Sequence, residues 1–264
     1  MQIFHEVVAI AKKEFKLNIR FKTAYLLNTF INPFLSIIPL FIIYYGFLHY
    51  GNTEGFGGVT LGNYVEFLLF GILGQAFFYQ GINVFAVKFS NEKYWKTIQS
   101  MFAAPINYLS IIIGFGINVL LNLIPLMTIF IFIASIFGVH PFIHIIYILL
   151  VLLLLLSFCL GIGLIYGALI LFSENFDPFF RYFFAAWTLL SCFAYPIQII
   201  PEELKIFVLL NPVYQAVNFS RELWINGFFD LPALLYIFLF AVLMPLIAVY
   251  VFKIAWKRME IQGY

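Results

Sequence analysis

The sequence predicts an all-α, polytopic membrane protein with six transmembrane helices and both termini cytoplasmic, and three observations predict it. Of 264 residues, 64% are drawn from AVILMFWYC and only 10% from DEKR, against about 45–50% and about 25% in soluble domains. A folded globule of this size cannot hide so much apolar side chain, so apolar surface must face lipid. Six apolar runs are long enough to cross a hydrocarbon core of roughly 30 Å, which takes about 20 helical residues. Threading those runs in order places 12 of the 14 Lys and Arg residues on one side and only Lys205 and Arg221 on the other, the asymmetry that marks the cytoplasmic face. The same shortage of charge excludes a soluble enzyme, a nucleic-acid binder and a disordered chain.

Residues 1–264 read as a single transmembrane domain that opens on an amphipathic helix over 3–22. At 100° per residue, Phe4, Val8, Ala11, Phe15 and Ile19 share one face, and Lys12, Lys13, Lys16 and Arg20 cluster beside it. That is the pattern of an interfacial helix on the inner leaflet with its cations toward headgroups. It serves either as a generic anchor or as a specific contact surface. Its charges come in the wrong order for a cleaved signal peptide, so the apolar runs are expected to belong to the mature chain.

The first two spans follow at 25–48 and 64–87, the second carrying Gln75, Tyr79, Gln80 and Asn83. Residues 91–104 then read as a short cytoplasmic helix, capped by Ser90 or Asn91 and stopped by Pro105. Trp95, Ile98, Met101 and Phe102 form its apolar face, and Lys93, Lys96 and Gln99 the opposite one. Such a helix floats on the inner leaflet or seats against a partner.

The third span, 108–137, places Asn118 and Asn122 one turn apart on one face. The amides of spans two and three either hydrogen-bond between helices or form a polar stripe along a substrate path. Spans four to six fall at 142–172, 179–197 and 231–252. The third and fourth are long enough that they must tilt or project into water. Gly161, Gly163 and Gly167 in the fourth include one GxxxG spacing, a signal for close helix approach. The outer connection 198–230 is too hydrophobic for a free loop. Asn211 is a good N-cap, Pro212 a good first helical residue and Asn226-Gly227 a plausible stop, so the segment reads as two short helices. They form either a re-entrant hairpin or a cap lying flat on the outer leaflet.

The chemistry expected of a self-sufficient machine is missing. There is no GxxxxGK(S/T) phosphate loop, no HExxH, no GxSxG and no paired-acid motif. The histidines, His5, His49, His140 and His144, are scattered at interfaces, and Cys159 and Cys192 sit in apolar runs without metal spacing, so no metal site is expected. The only acid inside a span is Glu66, near an end, which disfavours an ion-coupled carrier. On these grounds a partner-driven permease, an intramembrane lipid-modifying enzyme without a nucleotide requirement and an accessory scaffold all remain open, although the enzyme lacks any visible constellation.

The segment Glu92-Lys-Tyr-Trp-Lys-Thr97-Ile98-Gln99, followed by Ala103-Ala104-Pro105-Ile106, resembles the E-(K/R)-x-x-G-T-(L/I)-E … (S/A)-P-(I/L) stretch of the permease subunits of ABC type-2 exporters. Lys13-Glu14-Phe15-Lys16 through Arg20-Phe21-Lys22, Asn211-Pro212-Val213-Tyr214 with Arg221, and a basic tail ending Gly263-Tyr264 agree in order, so the resemblance covers essentially the whole chain. One departure is Lys96, where the family commonly has Gly. The resemblance implies a half-transporter: two copies of this chain, or one with a similar permease, enclosing a pathway in the lipid bilayer above two ATP-binding subunits. Those subunits would hold ATP and Mg, and this chain no cofactor.

The resemblance assigns the seat on the ATPase to Asn91, Glu92, Lys93, Trp95, Lys96, Thr97, Ile98, Met101 and Phe102. A second contact falls to the N-terminal helix, with Phe4, Val8, Lys12, Lys13, Phe15, Lys16 and Arg20. An outer gate falls to Glu202, Asn211, Pro212, Tyr214, Arg221 and Trp224. It also implies export of a hydrophobic, amphipathic or lipid-linked substrate, through a path lined by Phe and Tyr, across the plasma membrane of a prokaryotic cell.

Overall fold

A computed structural model describes residues 2–27, single positions at 31, 32, 35, 38, 39, 42, 45, 46 and 59, and residues 63–104, 106–137, 141–173 and 175–262. Its regular elements are helices: α1 (Gln2–Arg20), α2 (Lys22–Leu26), α3 (Tyr64–Tyr94), α4 (Ile98–Ala103), α5 (Tyr108–Phe137), α6 (Phe142–Phe172), α7 (Phe176–Leu189), α8 (Glu202–Leu209), α9 (Pro212–Ile225) and α10 (Leu231–Gln262), with a 3-10 turn at Ile197–Ile199. Four described helices, Tyr64–Tyr94, Tyr108–Phe132, Phe142–Phe172 and Leu231–Arg258, are long and apolar enough to cross a membrane. The second, third, fourth and sixth predicted spans fall on them. The first, 25–48, lies largely outside the described residues.

The fifth predicted span, 179–197, is corrected. Its helix, α7, covers only Phe176–Leu189, about 21 Å at 1.5 Å per residue, and the chain then turns irregularly through Leu190–Tyr195. The apolar run continues, but the helix does not. Thr188 donates its hydroxyl to Phe184 O and Ser191 to Trp187 O, both at 2.8 Å, competing with the helical ladder. Pro196 then disfavours helix at the residue before it. Cys192, buried within this turn, takes a left-handed φ of 50°.

The core is the packing of α3 and α10 on opposite flanks of α6. A Cβ on Gly163 would lie 2.4 Å from Gly81 O, and one on Gly167 would lie 2.7 Å from the Phe85 Cβ. The small residues of α6 therefore set how closely α3 approaches. On the other flank, Gly161 admits the backbone of Met244 and Pro245. Pro245 has no N–H, which leaves Ala241 O without its helical donor, and the Ser157 hydroxyl of α6 fills the vacancy at 2.9 Å. In lipid such a carbonyl has no water to turn to. Phe89 stacks on Phe252 with ring centroids 5.6 Å apart.

The segment after α7 forms two short helices, and Asn211 caps the second by accepting from Val213 N at 2.9 Å. Gly227, with φ 66°, ends it. α9 is buried among α3, α6 and α10, whereas α8 leaves Ile206, Phe207 and Leu209 exposed.

α1 is braced along α5. Glu6 accepts from Asn107 N at 3.2 Å and from the Ser110 hydroxyl at 2.7 Å, placing a carboxylate at the N-terminus of α5, where it is electrostatically favoured. Ile10 fills the space over Gly114. The docked face is Val7, Ala11, Glu14 and Asn18, while the predicted apolar stripe leaves Phe4, Val8 and Ile19 exposed beside Lys12, Lys16 and Arg20, with Phe15 intermediate. The helix is amphipathic as expected, but a second, mixed face fixes it to protein.

Candidate functional site

A cavity of about 880 Å³ lies between α1, α3 and α5, bounded also by Asn32 and Leu35. The expected path residues, Gln75, Tyr79, Gln80, Asn83, Asn118 and Asn122, all border it, joined by Asn18. They converge because α3 presents positions 75, 79, 80 and 83 on adjacent turns toward α5. The wall differs from the expected Phe- and Tyr-lined path: Tyr79 is its only aromatic residue among those described. Asn18 donates to Asn118 Oδ1 at 3.1 Å and Asn122 Oδ1 at 3.3 Å, and Asn122 donates to Asn118 Oδ1 at 3.4 Å. Asn83 donates to Tyr79 O at 2.9 Å. Some of the amides thus tie helices together, and all of them border one hollow.

At the Tyr94 end of α3 the predicted helix over 91–104 is divided. α3 itself continues through Asn91, Glu92 and Lys93 to Tyr94, and α4 begins only at Ile98. Between them Lys96 takes φ 57°. Its N–H donates to Lys93 O at 3.1 Å and Thr97 N to Glu92 O at 2.9 Å, the two bonds of a Schellman turn, whose left-handed position favours glycine. The departure from the family pattern at Lys96 thus falls on the residue where Gly has a physical purpose. The break also splits the expected apolar face. Ile98 and Met101 pack inward against the core, while Tyr94 and Trp95 are 83% and 56% exposed. The Phe102 side chain lies outside the described residues.

An ion-pair chain joins this turn to α1. Lys13 Nζ lies 2.9 Å from Glu92 Oε1 and 3.6 Å from Glu14, and Lys88 Nζ lies 2.6 Å from Glu14 Oε2. Thr97 donates its hydroxyl to the Glu92 carboxylate. Burial alone would lower the pKa of Lys13, but the hydrogen bond and charge of Glu92, with Glu14 behind, outweigh it and hold the ammonium above its ordinary value. Glu14 and Lys88 were not among the expected site residues. The signal for them was a carboxylate in register with Val7 and Ala11, since an acid on an otherwise apolar helical stripe demands a cationic partner.

At the Tyr64 end the residues expected at an outer gate are mostly interior. Arg221, 3% exposed, donates from Nε to Phe67 O at 3.1 Å, from Nη1 to Cys192 O at 2.9 Å and from Nη2 to Phe193 O at 2.5 Å, with its guanidinium 3.5 Å over the Phe67 ring. It satisfies the backbone of the turn that interrupts the fifth span. A Cβ on Gly71 would overlap Phe193 O, so glycine there lets the turn reach α3. Asn211 accepts from the Trp187 indole at 2.8 Å and donates to Leu190 O at 3.2 Å and the Ser191 hydroxyl at 3.0 Å, using both faces of its amide. Pro212, Tyr214 and Trp224 are buried. Glu202 alone of the six faces solvent, paired with Lys205 at 2.5 Å.

Long apolar helices, a cavity between them bordered by amides and an interrupted, internally bonded helical hairpin define a multi-pass membrane protein. Residues 5–224 match the family model of the ABC-2 type transporter. The chain belongs to that family: it is a membrane permease component, which associates with an ATP-binding subunit. No individual curated protein matches it.

Proposed function

We propose that this permease is an exporter, moving an amphipathic or lipid-linked substrate from the cytoplasm or inner leaflet through the cavity between α1, α3 and α5. Two copies of the chain act with two ATP-binding subunits in the plasma membrane of a prokaryotic cell. The observation that carries the reading is the convergence of Gln75, Tyr79, Gln80, Asn83, Asn118 and Asn122 on one hollow of about 880 Å³, within the range of about 300–1,000 Å³ typical of ligand sites.

In this reading the Tyr94 end of α3 is cytoplasmic, and the turn at Trp95–Thr97 with α4 seats on the ATP-binding subunit. Its exposed aromatic pair, Tyr94 and Trp95, is the part available to a partner, since aromatic residues anchor interfaces and Ile98 and Met101 are already engaged. Closure of the ATPases would draw on α4, and the Glu92–Lys13 and Lys88–Glu14 pairs would carry that movement to α1 and the mouth of the cavity. The hairpin of α8 and α9 forms the outer gate.

The test is a Tyr94→Ser/Trp95→Ser permease reconstituted with its ATP-binding subunit. Substrate-stimulated ATP hydrolysis and transport are expected to disappear while the melting temperature of the isolated permease stays within a degree or two of the parent, as exposed positions allow. Retained transport would overturn the coupling assignment.

A further inference from the structure

A second cavity, of about 430 Å³, lies between α6, α7 and the half of α3 that ends at Tyr94. Its two ends differ in chemistry. Ile82, Ala86 and Phe184 line one, and Ser90, Asn91, Asp177 and Arg181 the other. The polar end falls at headgroup depth. α3 has 31 residues, about 46 Å at 1.5 Å per residue, so when it is centred on a hydrocarbon core of roughly 30 Å about five residues project at each end. Ser90 and Asn91 are among them.

The charged groups at this end are held in place but not used up. Tyr166 donates its hydroxyl to Asp177 Oδ1 at 2.5 Å, and Arg181 Nε lies 2.8 Å from Asp177 Oδ2. Each carboxylate oxygen has thus taken one donor and can take a second. A guanidinium has five N–H donors, and the Arg181 side chain is 75% exposed, so most of its fork is open to a further acceptor. The Ser90 and Asn91 side chains make no hydrogen bond to another described residue. Asp177 and Arg181 together carry no net charge. What completes such a site brings a phosphate to Arg181, Ser90 and Asn91, a cationic N–H donor to Asp177, and an apolar chain to Ile82 and Phe184.

We propose that this cleft holds a resident phospholipid of the bilayer whose headgroup carries a primary ammonium beside its phosphate, as in phosphatidylethanolamine. A choline headgroup has the same charges but no N–H to give Asp177. An anionic headgroup sets a second negative charge near that carboxylate with no cation to offset it. Tyr79, Asn83 and Val87 border both this cavity and the larger one, so the lipid backs the wall of the larger cavity from outside. It is held rather than carried, whatever the permease moves.

The test is native mass spectrometry of the delipidated permease with its ATP-binding subunit, titrated with phosphatidylethanolamine, phosphatidylcholine, phosphatidylglycerol and free phosphoethanolamine. Phosphatidylethanolamine is expected to bind at least about fivefold more tightly than the other two lipids, the worth of one hydrogen bond. Phosphoethanolamine, which has no chain, is expected to bind far more weakly. Arg181→Gln should weaken phosphatidylethanolamine and phosphatidylcholine alike by at least about tenfold, the worth of one charge-assisted bond. Asp177→Asn should erase the preference between them. Because Arg181 is exposed, its variant should keep the melting temperature of the parent. Arg258→Gln, which removes an exposed cation of α10, should leave binding unchanged. Phosphatidylcholine bound as tightly as phosphatidylethanolamine, phosphatidylglycerol bound more tightly, or a preference that survives Asp177→Asn would each overturn the assignment. So would phosphoethanolamine bound as tightly as the lipid, or a loss in Arg258→Gln as large as in Arg181→Gln.

Discussion

The two ends of α3 meet the same difficulty with opposite chemistry. At the Tyr64 end the neighbouring backbone leaves helical geometry inside the protein, where every freed carbonyl needs a donor, and one buried guanidinium serves two of them, Cys192 O and Phe193 O, while anchoring to Phe67 O of α3. At the Tyr94 end α3 turns sharply in the open, where water serves the backbone, and side-chain ion pairs tie the turn to α1. Buried bonds of the first kind hold one geometry, because every alternative leaves polar groups unmet. Of the second kind, the Lys13–Glu92 pair is open to solvent on its lysine side and is weakened there, while Lys88–Glu14 is buried and stays paired. The difference teaches which end is built to stay and which to move: a fixed plug at one, an adjustable joint at the other.

The largest effect should come from breaking the fixed end. Arg221→Met removes the donor to Phe67 O, Cys192 O and Phe193 O while roughly keeping side-chain length. Leaving buried carbonyls unmet should cost about 3–5 kcal/mol, visible as a large fall in the detergent melting temperature. Arg221→Lys, with one compact ammonium in place of a planar fork, should recover only part. A melting temperature unmoved by Arg221→Met would mean that the turn at Leu190–Tyr195 is not held from α9.

At the adjustable end the same type of operation should register far less in stability. Glu92→Gln discharges the partner of Lys13; with the lysine 56% and the glutamate 11% exposed the pair is half-buried, so its loss should cost about 1 kcal/mol, well below that of Arg221. The loss should appear in function: weaker stimulation of the ATP-binding subunit with only a small fall in melting temperature. If Glu92→Gln unfolds the permease as Arg221→Met does, the contrast between the ends is wrong.

The same contrast explains what was legible from residues alone. Asn211-Pro212 and Gly227 are local signals, a cap, a fixed φ and a left-handed stop, and the helix they bound appeared where they placed it. The amides on α3 and α5 stood out because polar residues are rare in apolar spans, and their meeting in one cavity follows from helical spacing. The end of the fifth span was hidden because Ser191 and Thr188 loosen a helix only through the bonds they choose, and because the run of apolar residues does not stop there. Arg221 counted as an outer cation in the charge tally, and nothing in its local sequence reveals the carbonyls of Phe67 and Phe193 that surround it. The docked face of α1 was masked by a second stripe, Phe4, Val8 and Ile19, that is more apolar but faces away from protein.

The smallest effect tests the joint itself and should have the opposite sign. Lys96 occupies the left-handed position of the turn at φ 57°, a conformation that costs an L-residue roughly 1 kcal/mol and glycine almost nothing. Lys96→Gly should therefore raise stability by up to about 1 kcal/mol, less the greater entropy glycine returns to the unfolded chain. Both bonds of the turn come from backbone N–H groups, at Lys96 and Thr97, so the substitution keeps them. Lys96→Ala separates the contributions: it removes the charge but retains the strain, and should leave the melting temperature where it was. If Gly and Ala behave alike, the ammonium and not the backbone decides what Lys96 does. If Gly stabilises and Ala does not, the α3–α4 joint is strained in its resting form, and part of its readiness to move is written into a single dihedral angle.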